Sequence, residues 1–328
     1  MNAVAAPQPV LSIRRLETQF QTQIGLVKAV DGVDIDVYPG ECLGVVGESG
    51  SGKSVTFASV LGLVRPPGRV VAGSIRFEGR ELVGLGRRAL RRIRGKEIAI
   101  TLQDALTSLN PSLTVGTQIL EVLREHGSAD NTGRLKDQAL EMLSLVGIPE
   151  PETRLNQYPH EFSGGMRQRI MIAIALACRP KVLIADEPTS ALDVTIQAQV
   201  LDLLASLRSR FGMTVILITH DLGVVAEYCD RVVVMYAGQV VETGPTRPVI
   251  ADPRHPYTRG LIASIPSLTD PDHRIQPIGG QVPELVDVPA ECRFLNRCSM
   301  AGEACRTLVP MRPMGAGRAV RCCKAVPS

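Results

Sequence analysis

The chain has 328 residues, and 45% of them are hydrophobic, so it can bury a substantial core and is not a disordered polymer. A formal net charge of only +3 argues against a nucleic-acid binder held by electrostatics, and 3% aromatics with no tryptophan argue against stacking platforms for single strands. The longest apolar run, Ile170 to Cys178, is too short to cross a bilayer, and Met1-Asn2-Ala3-Val4 has no secretory n-region, so a cytoplasmic chain with reduced thiols is expected.

Residues 11–46 read as short strands. Leu11-Ser12-Ile13 and Val33 to Val37 alternate apolar with polar, as half-buried strands of an antiparallel sheet do. Phe20 lies on one of them and reads equally as an adenine stack or as plain core. Pro39-Gly40 turns the chain into the apolar run Cys42 to Val46.

Gly47-Glu48-Ser49-Gly50-Ser51-Gly52-Lys53-Ser54 follows, and fits the phosphate-loop pattern between a strand and a helix-compatible run, Ser54 to Val64. Its glycines let backbone approach a ligand closely, and successive N–H groups with the positive helix end face an anion. Lys53 is expected to reach β- and γ-phosphates and the Ser54 hydroxyl to take a Mg²⁺ position. The loop alone leaves open which of many nucleotide hydrolases this is.

Arg87 to Arg94 carries five arginines without interleaved aromatics, and reads as a solvated helix face rather than a nucleic-acid patch. Glu97 to Leu102 is strand-like and ends at Gln103. Thr117 to Arg124 and Leu135 to Val146 have helical periodicity, suggesting a helical insert in an α/β core. Ser163-Gly164-Gly165 opens a helix to about Cys178, with Ser163 as N-cap. A plain capped helix and a second anion site are equally good readings at this point.

Lys181 to Ala185 is a continuous apolar strand, as in a buried parallel sheet, and ends in Asp186-Glu187. Carboxylates there lie where open α/β sheets bind ligands; Asp186 suits Mg²⁺ and Glu187 suits a general base on water. Ser190 to Asp193 leads to an amphipathic helix, Thr195 to Arg210. The next buried strand, Met213 to Thr219, ends at His220, which reads as a γ-phosphate contact or as a structural histidine. Arg231 to Tyr236 and Gln239 to Glu242 pair around Ala237-Gly238.

Beyond about Gly244 prolines crowd, and a loop-rich appendage with little sheet or helix is expected. It holds Cys292, Cys298, Cys305, Cys322 and Cys323. Their spacing fits neither common zinc ribbons nor a bacterial ferredoxin run, yet thiols in a reducing compartment point to metal rather than disulfides. Cys42, Cys178 and Cys229 read as buried thiols.

Taken in order, these motifs resemble the nucleotide-binding subunit of an ABC transporter over about residues 10–245. The Walker A loop is Gly47 to Ser54, the Q-loop residue Gln103, and the signature Phe162-Ser163-Gly164-Gly165-Met166. Asp186 and Glu187 form the Walker B end, Ser190 to Asp193 the D-loop, and His220 the switch. The signature departs from the commonest form by Phe for Leu and Met for Gln. Leu106 to Pro111, Phe162 to Arg169 and His255-Pro256-Tyr257-Thr258-Arg259-Gly260-Leu261, before a cysteine-bearing tail, resemble the oligopeptide/dipeptide importer ATPases.

The resemblance implies an α/β fold, an ABC-type P-loop nucleotide-binding domain. It would comprise a RecA-like core, an antiparallel β subdomain and a helical subdomain at about 104–178, within a cassette over 1–248 and an extension over 249–328. It implies ATP held at Gly47 to Ser54 of one subunit and Ser163 to Gly165 of a second, with Mg²⁺ near Ser54, Gln103 and Asp186. Glu187 would polarise water, His220 would contact the γ-phosphate, and the insert near Gln103 would pass motion to membrane subunits.

The implied partners are a second, paralogous ATPase subunit, two permease subunits and, indirectly, an extracytoplasmic solute-binding protein, at the cytoplasmic face of the membrane. Similar tails carry a [4Fe–4S] cluster, implying Cys292, Cys298, Cys305 and Cys322 as ligands, with Cys323 the other choice for the last. The solute is a di- or oligopeptide or a related one such as a nickel chelate. A soluble non-transport ABC ATPase is the alternative.

Overall fold

The computed structural model describes residues 8–101, 108–126, 132–190, 192–265 and 277–326. The chain divides into two compact units, Met1–Gly84 with Ile218–Ser328, and Leu85–Leu217.

In the first unit β1 (Leu11–Thr22) pairs antiparallel with β2 (Gly25–Val37). Both are long strands rather than the short ones the alternation suggests. The reason lies at Arg15, where φ is +44° and the register shifts between Ile13 and Leu16. A bulge there resets the inward face, so Leu11, Ile13 and Leu16 are all buried without a strict period of two. β3 (Cys42–Val46) is buried at every position, as its unbroken apolar run requires.

Helix α1 (Lys53–Val60) follows, shorter than the helix-compatible run. Gly62 at φ +59° ends it, with its N–H donating to Ser59 O at 3.0 Å. β4 (Gly68–Phe77) pairs with β1 and with the short β5 (Arg80–Glu81), completing a four-stranded sheet ordered β2-β1-β4-β5. The Oγ atoms of Thr18 on β1 and Ser59 on α1 stand 2.8 Å apart, a buried polar contact that fixes the helix on this sheet.

The second unit begins with α2 (Arg87–Ile93), where Ile93 is buried and Arg91 forms an exposed ion pair with Glu125, as expected of a solvated face. β6 (Ile98–Thr101) is parallel to β7 (Val182–Asp186). Between them α3 (Val115–His126) and α4 (Thr132–Leu145) occupy the two periodic stretches. They meet α5 (Gly164–Leu176) through buried Ile119, Leu123, Ala139, Leu143 and Ile170. After β7 come α6 (Val194–Phe211) and β8 (Thr214–Thr219), the strand beside β7.

Back in the first unit, α7 (Leu222–Tyr228) is capped by Asp221, which accepts from Gly223 N–H at 2.7 Å. Its Val225 packs on Gly44 of β3 so closely that a Cβ there would fall 2.6 Å from Val225. β9 (Arg231–Tyr236) lies parallel to β3 and turns at Ala237 and Gly238, both at positive φ, into antiparallel β10 (Gln239–Pro245). That turn is the two-residue hairpin the sequence signals.

The C-terminal region is more ordered than its prolines suggest. α8 (Thr246–Ala251) and α9 (Pro256–Ala263) come first. The hairpin β11 (Arg312–Gly315) and β12 (Arg318–Val320) then adds to β10. Pro313, Gly315 and Gly317 look like breaks, yet the glycines serve the turn at φ +78° and +72°, and Pro313 lies on the terminal strand of the order.

Candidate nucleotide site

The phosphate loop connects β3 to α1. Gly47 sits at φ +155° with its Cα against β9, where a Cβ would lie 2.1 Å from Met235 O. Gly52 is the N-cap at φ +97°, where a Cβ would lie 2.4 Å from Ala29 O. Only glycine fits either place. Ser49 and Gly50 are exposed at the tip, and Ser54 is exposed on the first turn of α1. Lys53 is buried and donates from Nζ to Gly47 O at 2.7 Å, Glu48 O at 2.9 Å and Ser51 Oγ at 3.3 Å. A helix N-terminus, a ring of loop amides and a buried ammonium together suit a polyphosphate.

Glu48 is held on every polar group. Its N–H donates to the Tyr257 hydroxyl at 2.8 Å, and its carbonyl accepts from Lys53 Nζ and Ser51 N–H. Its carboxylate is clasped by Arg297, with Nη1 to Oε2 at 2.7 Å and Nη2 to Oε1 at 3.0 Å. The carboxylate holds the guanidinium well above its ordinary value, and burial raises the Tyr257 phenol. Tyr236, Tyr257 and Phe294 pack around this point with centroids 4.5 to 5.5 Å apart. Sequence reasoning missed Arg297, Tyr236 and Tyr257 as neighbours of the loop; the His255-Pro256-Tyr257 motif was visible, but not where its hydroxyl goes.

The other candidate residues fall in both units. Phe20, in the first, is half-buried with its ring against Gly68, where a Cβ would lie 2.4 Å from Cε1. His220, also in the first unit, is exposed just past β8. Gln103 lies outside the described residues, as do Ala191 of the D-loop and Leu106 and Thr107 of the subfamily motif.

In the second unit Ser163 caps α5, accepting from Met166 N–H at 3.4 Å. Gly165 faces the start of α6, where a Cβ would meet Ile196 at 2.6 Å. Asp193 caps α6 through Ile196 N–H at 2.9 Å, so the D-loop and the signature helix start side by side. Asp186 closes β7 and is buried. Glu187 follows at φ +45°, a left-handed position that costs energy for a glutamate. Ser190 steadies this turn by donating from N–H and Oγ to Glu187 O at 3.2 and 3.0 Å.

The five tail cysteines line one cavity beside His255, Phe294 and Met300. Sγ of Cys305 and Cys323 are 3.4 Å apart. Burial pushes the Cys292 thiol up to about 11, and Cys305, Cys298 and Cys322 add to the rise, so these four sulfurs feel one another. Among the described residues no three His, Cys, Asp or Glu side chains stand as ligands of one metal ion. The reading that Cys42, Cys178 and Cys229 are buried holds for Cys42 and Cys229, whose Sγ atoms are 3.5 Å apart, while Cys178 is half-buried at the end of α5.

The ABC transporter family matches residues 30–190, and the oligopeptide/dipeptide transporter C-terminal region matches 241–305. The dipeptide transport ATP-binding protein DppD of Haemophilus influenzae is 48% identical, over 95% of this chain and 94% of that protein. A putative peptide import ATP-binding protein of Brucella melitensis is 50% identical, over 92% and 93%. Among solved structures, the cassette MJ0796, a dimer in a post-hydrolysis state with ADP and Pi, superposes with a TM-score of 0.65 at 27% identity, over 72% of this chain and 99% of that one. The chain cbiO1 of Clostridium perfringens, part of an ABC transporter complex, gives 0.64 at 27%, over 75% and 92%.

Fold and phosphate loop therefore define an ABC-type P-loop ATPase, a class that hydrolyses ATP to drive transport. The chain belongs to the ATP-binding subunits of the oligopeptide/dipeptide importer family, as its motifs led one to expect. Among the described residues no helix is long and apolar enough to cross a membrane.

Proposed function

We propose that this chain is an ATPase subunit of a peptide importer, docked on permease subunits at the cytoplasmic membrane face and working against a second ATPase subunit. The observation that carries the reading is joint. A built phosphate loop lies in the same chain as the peptide-transporter C-terminal region, and relatives named for peptide import align over nearly its whole length. The cassette is taken as residues 1–248 and the extension as 249–328.

The roles follow the chemistry of each group. Lys53 and the loop amides hold the β- and γ-phosphates, and Phe20 stacks on the adenine. Ser54, Asp186 and Gln103 would hold Mg²⁺, which when bound neutralises charge on the transferred phosphoryl group. Glu187 takes a proton from the attacking water, and His220 contacts the γ-phosphate. Ser163, Gly164 and Gly165 serve the partner subunit's nucleotide, the N-cap of α5 offering amides to phosphate. Positioning and fixed charge then account for the rate.

The proposed occupant of the cysteine cavity is a [4Fe–4S] cluster, and the supply of thiols supports it. A cluster binds one thiolate per iron, and the five thiols that line this cavity are enough to supply four. Cys292, Cys298, Cys305 and Cys322 are the proposed ligands, with Cys323 the alternative to Cys322. A bound cluster would supply one-electron chemistry or a rigid staple.

The import reading is tested by pull-down of the full chain from membranes. Recovery with two permeases and MgATP-dependent peptide uptake in reconstituted vesicles is expected; ATPase activity with no permease would count against import. Iron and sulfide content, with an absorbance near 400 nm that Cys298→Ser abolishes, tests the cluster.

A further inference from the structure

We propose that Arg297 and Tyr257, both from the C-terminal region, are positioning residues of the nucleotide site. They act through Glu48, the second residue of the phosphate loop. Arg297 is an unusually complete anchor. All five of its N–H donors have acceptors: Nε to Gly279 O at 2.8 Å, Nη1 to Glu48 Oε2 and the Tyr236 hydroxyl, Nη2 to Glu48 Oε1 and Ile278 O. Its side chain is 4% exposed, and its guanidinium lies over the Tyr236 and Phe294 rings at 5.7 and 5.9 Å. A planar fork so fixed dictates where the Glu48 carboxylate sits.

Tyr257 fixes the same residue by a different handle, taking the Glu48 N–H that would otherwise be free to turn toward a phosphate. The remaining loop amides, and Lys53 with its hold on Glu48 O, are therefore presented from a position set by the C-terminal region. Nucleotide affinity scales with the fraction of molecules whose loop is already in the binding shape. Removing either anchor lowers that fraction without touching any group that contacts phosphate. Arg297 adjoins Cys298, so the cysteine cavity and the phosphate loop share one rigid turn.

The inference rests on the loop being the ATP site. The test is calorimetric titration of the full chain with MgADP, which needs no partner subunit, beside steady-state ATPase of the complete transporter. Arg297→Lys keeps the charge and loses the fork; its Kd is expected to rise about tenfold. Tyr257→Phe keeps the ring and loses the acceptor, with a rise of several-fold. In both, KM for ATP follows Kd, kcat at saturation stays within about twofold, and the circular dichroism spectrum without nucleotide matches wild type.

Glu48→Gln combined with Arg297→Lys is expected to cost less than the two summed, because both break one contact. Unchanged Kd in both single variants, or a lower melting temperature with wild-type Kd, overturns the proposal. Lys53→Ala separates the two levels. If it binds MgADP like wild type, the loop is not the site and both readings fall. If it loses binding while the anchor variants do not, only this inference falls.

Discussion

Glu242 and Arg318 form an ion pair with side-chain exposures of 1% and 10%, at 3.1 Å. The same carboxylate accepts the N–H groups of Arg254 and His255, both at 2.9 Å. One residue of β10 thus ties down the entry to α9 and the strand β12. Removing it takes the acceptor from two backbone donors and leaves the buried guanidinium with Asp252 alone, a loss of about 3 kcal/mol. Glu242→Ala is expected to lower unfolding free energy by that amount and to expose the region beyond 252 to protease while 1–240 stays resistant. Urea unfolding with limited proteolysis reads both. A uniform loss of resistance along the chain would contradict the local role.

Gly47→Ala puts a methyl 2.1 Å from Met235 O, a distance no side chain occupies. Either the loop or β9 must move, and the loop is exposed at its tip. The variant is expected to fold with near wild-type circular dichroism and to lose MgADP binding at least a hundredfold. Gly50→Ala, at φ +77° but with nothing within 4 Å, is expected to lose far less, from strain alone. Similar losses in both would mean that backbone conformation, not the close approach to β9, demands Gly47.

The two glycines also mark what was legible in the sequence. The phosphate loop, β3 and β7 were readable because contiguous residues carry the whole signal: a glycine pattern, or an unbroken buried run. β1 was not readable as one strand, because the bulge at Arg15 shifts its inward face. The grip on Glu48 was not readable either. Arg297 is 249 positions away, and pairing at that range leaves no periodicity. The C-terminal hairpin hid for a further reason: Gly315 and Gly317 signal a turn, but a turn alone does not say that strands flank it.

Glu187 is placed by a strained backbone, held by Ser190 at the end of a buried strand. In the role proposed for it the carboxylate takes a proton from the attacking water, which its amide cannot do. Glu187→Gln is expected to leave MgATP affinity within about threefold and to cut kcat by 10² to 10⁴. Single-turnover hydrolysis in the reconstituted complex measures this. Normal turnover in the variant would sink the base assignment.

His255 supplies a pH dependence with a definite sign. It is fully buried, its Nδ1 accepts from Tyr257 N–H at 3.0 Å, and burial lowers its pKa to about 3. In the unfolded chain the ring titrates near 6.5. Between those values the unfolded state takes up a proton that the folded state refuses, so stability falls as pH drops below about 6.5 and is untouched above it. One proton over 1.5 pH units amounts to about 2 kcal/mol at pH 5.

His255→Asn keeps an N-cap acceptor but does not titrate. It is expected to be less stable at pH 7.5, through lost packing, yet to lose about 2 kcal/mol less than wild type on going to pH 5. Urea unfolding of both proteins at the two pH values gives the difference, since every other titrating group contributes equally to each. If the two curves shift in parallel, the folded ring is taking up the proton, and the cavity beside the cysteines is wet enough to carry charge.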